Sequence, residues 1–257
     1  MYTTILNYDI FEGLKKIKDE TIDLLVIDPP YNIGKKYEDG IEDKWKNQDE
    51  YLKWLYEWLE LSLKKLKKTG SLYIFNSTEN MPYVDIFLKK HINILSRIVW
   101  GYDSSGVQAK YFYGSLYEPI IFAVKTKSNY TFNYVDIMVE TETGSKRKLI
   151  DYRKNPPSPY NELKVPGNLW YFNRVRYKMP EYVKHSSQKP EALLERIVKA
   201  SSNEGDVILD LFAGSFSLGV VSKRLKRNYI GIEKSSTYCS IGKNRIEEIE
   251  IIEEEKK

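Results

Sequence analysis

One cysteine, Cys239, and two histidines are all that 257 residues offer to disulfide or soft-metal chemistry. A lone cysteine builds neither an internal disulfide framework nor a zinc cluster, so the expectation is a metal-independent, intracellular, cytoplasmic protein. Long apolar runs are missing too, and with them any helix able to span a bilayer. The start Met1-Tyr2-Thr3-Thr4 has none of the features of a secretory signal. The G-x-G-x-x-G fingerprint is absent, which disfavours a dinucleotide-binding reading. Charge of either sign is not strong overall, the net being +4.

What is present describes an α/β protein. Apolar residues make up 42% of the chain, enough for a proper core, and the length suits one domain with an insertion. A short strand and helix over 4–17 precede a strand ending at Ile27. Residues 32–48 read as a polar, irregular, mobile loop. Leu52, Leu55, Leu59, Leu63 and Leu66 recur at helical spacing, predicting a helix over about 50–68 with Asp49 as its cap and Gly70 as its stop. Strands are expected at 71–75, 94–100, 119–124, 207–209 and 229–232, and helices at 81–90, 186–202, 216–226 and 235–250. Such alternation argues a doubly wound, mostly parallel sheet. The tail Glu253–Lys257 is expected to be solvated and frayed.

Two strand ends stand out. Leu24-Leu25-Val26-Ile27 is a buried run that stops at Asp28-Pro29-Pro30-Tyr31. Two prolines cannot extend the ladder, so Asp28 falls at the carboxyl end of a strand, where open α/β sheets place their ligand crevice. An acid, free carbonyls and an aromatic face together suit a planar ring bearing an amine. The bland alternative is a turn or helix-capping acid. The second is Val207-Ile208-Leu209-Asp210, with a small-residue turn, Leu211-Phe212-Ala213-Gly214, and a further strand ending at Glu233. A carboxylate about 20 residues on is where a nucleotide-binding unit holds ribose hydroxyls. Alone, this is also an ordinary βαβ unit with a glycine turn.

The rhythm breaks over 126–184. Prolines 156, 157, 159 and 166 interrupt it, and over 141–185 ten Lys or Arg stand against four Asp or Glu. Tyr152, Tyr160, Trp170, Tyr171, Phe172, Tyr177 and Tyr182 are interleaved with these bases. Such a segment either binds nucleic acid, with Lys146, Arg147, Lys148, Arg174 and Arg176 meeting phosphates, or is a solvated basic loop. Its place beside a catalytic candidate favours nucleic acid.

Taken together, the motifs resemble those of the beta group of amino-group DNA methyltransferases. Asp28-Pro29-Pro30-Tyr31 matches the D-P-P-Y catalytic motif. His185-Ser186-Ser187-Gln188-Lys189-Pro190 is similar to H-x-[ST]-Q-K-P, and Asp210-Leu211-Phe212-Ala213-Gly214 to the S-adenosylmethionine motif. Tyr117-Glu118-Pro119 resembles the start of a late core strand. Phe216 departs from the pattern, standing where a second glycine is usual. The resemblance implies a Rossmann-like fold in permuted motif order. It divides the chain into a catalytic half (1–125), a target-recognition region (126–184) and a cofactor half (185–257). It implies S-adenosylmethionine as cofactor, double-stranded DNA as partner and a base flipped out of the duplex. The D-P-P-Y form implies adenine N6 as acceptor, with cytosine N4, RNA, or a catalytically weakened DNA-binding relative as alternatives. Asp28 and the Pro29 carbonyl would polarise the amine and Tyr31 would stack on the base. Asp210, Phe212 and Gly214 would meet the cofactor, Glu233 its ribose and Lys189 its carboxylate. His185 reads as positional rather than as a general base, and Trp54 and Trp58 as packing. A cognate restriction endonuclease and a homodimer stay open as partners.

Overall fold

A computed structural model describes residues 1–103 and 110–249. The tail at Glu253–Lys257 lies outside the described residues. In chain order the elements are β1 (Thr3–Leu6), α1 (Ile10–Lys15), β2 (Ile22–Ile27), α2 (Gln48–Lys65), β3 (Leu66–Phe75), α3 (Met81–His91), β4 (Asn93–Gly101) and β5 (Tyr117–Val124). They continue with β6 (Val139–Glu140), β7 (Ile150–Asp151), β8 (Ser158–Pro159), β9 (Leu163–Lys164) and β10 (Leu169–Tyr171), then α4 (Glu191–Ser201), β11 (Val207–Asp210), α5 (Ser217–Arg224), β12 (Asn228–Ile232) and α6 (Ser236–Glu247).

Eight strands form one sheet in the order β1-β12-β11-β2-β3-β5-β4-β10. Every adjacent pair is parallel except those made by β5, which runs against both β3 and β4. The carboxyl ends of β2, β11 and β12 therefore share one edge of the sheet, and the reversal brings the start of β5 to that same edge. Strand β2 shows why the apolar run is continuous. Leu25 and Ile27 enter a core closed by α1, α2 and α3, while Leu24 and Val26 enter the opposite core under α4, α5 and α6. A strand covered on both faces needs apolar residues at every position. Strand β10, from the middle segment, extends the sheet beside β4, and β6 to β9 form two small antiparallel pairs of their own.

Three boundaries differ from expectation. Helix α2 starts earlier, because extended Asn47 caps it by accepting the Glu50 amide at 2.9 Å, and Asp49 lies in the first turn. Gly70 sits inside β3 and stops no helix. A Cβ there would lie 2.6 Å from Leu66 Cγ and 3.0 Å from the Ile22 carbonyl, so close strand approach, not helix termination, requires the glycine. Helix α4 begins only at Glu191, since Pro190 disfavours helical backbone in the residue before it. This leaves Lys189 on a turn facing the sheet edge. The 32–48 segment is irregular up to Asn47, and side-chain bonds link it to its surroundings. Asp43 accepts the Lys35 amide at 2.6 Å and the Tyr31 amide at 3.2 Å, and Asn32 accepts the Trp45 amide at 3.0 Å. Asp39 gathers the hydroxyls of Ser235 and Thr237, each at 2.7 Å, where α6 begins. These bonds hold its carboxyl down at about 2.

Candidate active site

The end of β2 meets the start of β5 and the turn before α4 in a compact charged cluster. Lys189 Nζ lies 2.7 Å from Asp28 Oδ2 and 3.3 Å from Glu118 Oε2. The Tyr31 hydroxyl donates to Asp28 Oδ1 at 2.7 Å and stands 3.1 Å from Glu118 Oε2. Lys189 is 8% exposed, and its ammonium lies 5.4 Å from the ring of Tyr31, 5.5 Å from that of Phe75 and 6.0 Å from that of Trp100. Burial disfavours its charge, yet the facing carboxylates outweigh burial and hold the ammonium above its ordinary range. Burial, with the same two carboxylates, pushes the Tyr31 phenol up, so it stays a donor. The turn behind is stiffened by Tyr51, whose hydroxyl donates to the Pro30 carbonyl at 3.0 Å, and by Asn80, whose amide donates to the Tyr31 carbonyl at 2.8 Å.

The ends of β11 and β12 line the other end of the same cleft, a cavity of about 210 Å³ that reaches from Asp28 to Glu233. Here carboxylates meet backbone rather than cations. Glu233 accepts the Gly214 amide at 2.8 Å and the Ser235 amide at 2.7 Å, and burial raises its carboxyl. Asp210 takes the Tyr229 hydroxyl at 3.1 Å and the Phe212 amide at 3.3 Å, and burial pushes it up to about 7. Gly214 has a φ of +48°, and a Cβ there would lie 2.7 Å from His185 Nε2, so the turn needs glycine twice over. His185 is pulled down to about 4 by burial and by nearby Lys189 and Lys35. It is therefore neutral at neutral pH. Phe212 packs against Trp58 and Trp54, and Trp54 also lines the cleft.

The DNA methylase family model matches residues 22–244, which span both ends of this cleft. The chain belongs to the DNA methylase family. It is 57% identical over 244 residues to the DNA adenine methyltransferase YhdJ of Escherichia coli, covering 95% of this chain and 82% of that one. It is 35% identical to the type II methyltransferase M.HpaI of Haemophilus parainfluenzae, over 92% and 71% of the two chains. Among solved structures, the M1.HpyAVI–SAM complex aligns with a TM-score of 0.66 at 26% identity, covering 95% of this chain and 98% of that chain. The PvuII cytosine-N4-specific methyltransferase shares the fold, with a TM-score of 0.70 at 18% identity over 95% and 86%.

The unusual residue of the family pattern, Phe216, faces away from the cleft. It caps α5 in a left-handed conformation with φ of 58°, and its fully buried ring packs on Tyr229 and on the face of α6 where Gly242 leaves room. Arg174 stacks over Tyr102 at 5.1 Å and lies close enough to the cleft for its charge to bear on Lys35, whereas Arg176 pairs with Asp103 at 2.6 Å. Lys146, Arg147 and Lys148 are exposed on the turn before β7, with Lys146 3.7 Å from Glu140. Two residues of the cluster were not singled out as site residues from sequence. Glu118 was quoted only as part of a core strand, and the reversal of β5 that delivers it has no local signature. Lys35, 2.8 Å from the Ser187 hydroxyl at the cleft wall, lay within the segment read as an irregular loop.

Proposed function

We propose that the protein transfers the methyl group of S-adenosylmethionine to the exocyclic N6 of an adenine flipped out of double-stranded DNA. The observation that carries this is the single cleft with Asp28 at one end and the Gly214–Glu233 pair at the other. The donor set fits the cofactor. Glu233 is a carboxylate for ribose hydroxyls, Phe212 and Trp54 offer apolar faces, Gly214 allows close approach, and Asp210 closes the floor. The cofactor's carboxylate falls to Lys35 rather than to Lys189, whose ammonium is already held by Asp28 and Glu118. Bound there, S-adenosylmethionine supplies an electrophilic methyl.

The protein's own part is to prepare the amine. Adenine's exocyclic nitrogen is a weak nucleophile because its lone pair is delocalised into the ring. Asp28 and the Pro29 carbonyl accept hydrogen bonds from the amine, which localises that pair and stabilises the positive charge developing on nitrogen. The new N–C bond forms as the S–C bond breaks with its electrons on sulfur, and the nitrogen then gives up one proton, first to Asp28 and then to water. Pro30 stiffens the turn and the Tyr31 ring stacks on the base. The middle segment, with Lys146, Arg147, Lys148, Arg174 and Arg176, neutralises phosphates. Type II relatives add a cognate restriction endonuclease to the proposal, which protection of methylated DNA from cleavage would reveal. Incubating the protein with tritiated cofactor and, in parallel, duplex DNA, RNA and protein tests the proposal. Label on duplex DNA is expected, and label on RNA or protein alone would overturn it.

A further inference from the structure

We infer that Glu118 and Lys189 are a positioning pair for Asp28: Lys189 bridges the two carboxylates, and Glu118 holds both Lys189 and the Tyr31 hydroxyl, so that Asp28 is held in place with an oxygen available to the target amine. The inference rests on the methyl-transfer reading above. It assigns Lys189 to the reaction centre instead of to the cofactor's carboxylate.

The geometry supports this on three counts. The ammonium is nearer Asp28 (2.7 Å) than Glu118 (3.3 Å), but reaches both, and one cation between two acids offsets the repulsion between them. The single Tyr31 proton lies between Asp28 Oδ1 and Glu118 Oε2, at 2.7 Å and 3.1 Å. With Glu118 as a second acceptor, the phenol can turn from Asp28 when a base arrives and free that oxygen. The three rings around the ammonium favour a cation there through their faces.

The charged and titratable groups facing Asp28 come from every wall. Tyr31, Lys35 and Tyr37 follow β2, Glu118 opens β5, Lys189 precedes α4 and Asp210 ends β11, while Tyr102 after β4 bears on Glu118 and Lys189, and Arg174 of the middle segment bears on Lys35 and Tyr102. Removing Lys189 leaves Asp28 and Glu118 as neighbouring like charges offset by Lys35 without a direct ion pair, and one of them takes up a proton at higher pH. Asp28 must be ionised to accept from the amine, so the acid limb of turnover should move upward. Removing the charge of Glu118 works the other way. Asp28 then faces Lys189 without a competitor, and the limb should move downward.

The test compares the parent, E118Q, K189M and the double variant by the pH profile of kcat at saturating DNA, by KM, and by calorimetric cofactor affinity. K189M should shift the acid limb up by about one pH unit or more with cofactor affinity within about twofold of the parent. The double variant should bring the limb back. E118Q should lower kcat about tenfold with KM unchanged and move the limb down. A tenfold weaker cofactor affinity in K189M with the limb in place would instead make Lys189 a cofactor ligand and overturn the inference. An unmoved limb in E118Q would leave Glu118 structural and overturn it as well, and this variant decides the matter if K189M does not fold. Carboxyl 13C NMR gives the same answer without turnover. One more acid titrating above the ordinary carboxylate range is expected in K189M than in the parent, where Asp210 and Glu233 are already raised, and its absence overturns the pairing. An inactive parent would refute the methyl-transfer reading, while the NMR result would still decide the pairing.

Discussion

The two ends of the cleft hold strand-terminal carboxylates in opposite ways. At the catalytic end Asp28 and Glu118 share the ammonium of Lys189. At the cofactor end Asp210 and Glu233 face only hydroxyls and backbone amides, and burial raises both. On the proposed reading the difference follows from two tasks. An acid that accepts from a reacting amine is held in place by a cation. An acid that receives hydroxyls from a cofactor tolerates a weaker hold on its charge, and backbone amides fix its direction.

The largest break in this comparison is Asp28→Ala. It should lower the methyl-transfer rate by ~10²–10³, the typical loss for one charge-stabilising partner, while cofactor affinity measured by calorimetry stays close to the parent's. Next is Phe216→Gly, which restores the family's usual glycine. Emptying a buried aromatic site costs about 3–5 kcal/mol, and relief of left-handed backbone returns ~1 kcal/mol or more. A net loss of roughly 2–4 kcal/mol on denaturant unfolding is therefore expected. Little or no loss would mean that the ring does not fill the α5–α6 contact.

Glu233→Ala should weaken cofactor binding by about 1.5–3 kcal/mol, the worth of a hydrogen bond to a charged group, with a smaller change in the chemical step at saturating cofactor. The smallest effect concerns pH. Asp210 rises from 3.8 unfolded to about 7 folded, so the folded chain binds the extra proton between those values. Its contribution therefore erodes stability as pH climbs from about 4 to about 7. Asp210→Asn should flatten that decline, seen as a smaller difference in Tm between the two ends of the window.

The sequence made one end of this comparison easier to read than the other. Asp28, Asp210, Gly214 and Glu233 were legible because each ends a strand or turns the chain where the local pattern changes. The alternation of strands and helices gave the doubly wound sheet, since β2 and β11 are apolar at nearly every position. Glu118 was not legible as a site residue. Its value depends on β5 running backwards, which no local pattern announces. Lys189 was found, but its role was taken from its motif, and only the turn ahead of Pro190 explains why it reaches Asp28. Residues 32–47 are irregular, as read, but polar composition hides the bonds made by Asp39 and Asp43 across the fold. Phe216 stood out as a departure in a cofactor turn and is buried core, which depends on Gly242 far along the chain.

The central claim is transfer of methyl to the exocyclic amine of adenine through Asp28. Duplex DNA incubated with S-adenosylmethionine and either the parent or Asp28→Ala, digested to nucleosides and resolved by mass spectrometry, tests it most directly. The account predicts N6-methyladenine as the dominant product of the parent and its near absence with the variant. Dominant methylcytosine, or undiminished N6-methyladenine from a folded Asp28→Ala protein, would contradict it.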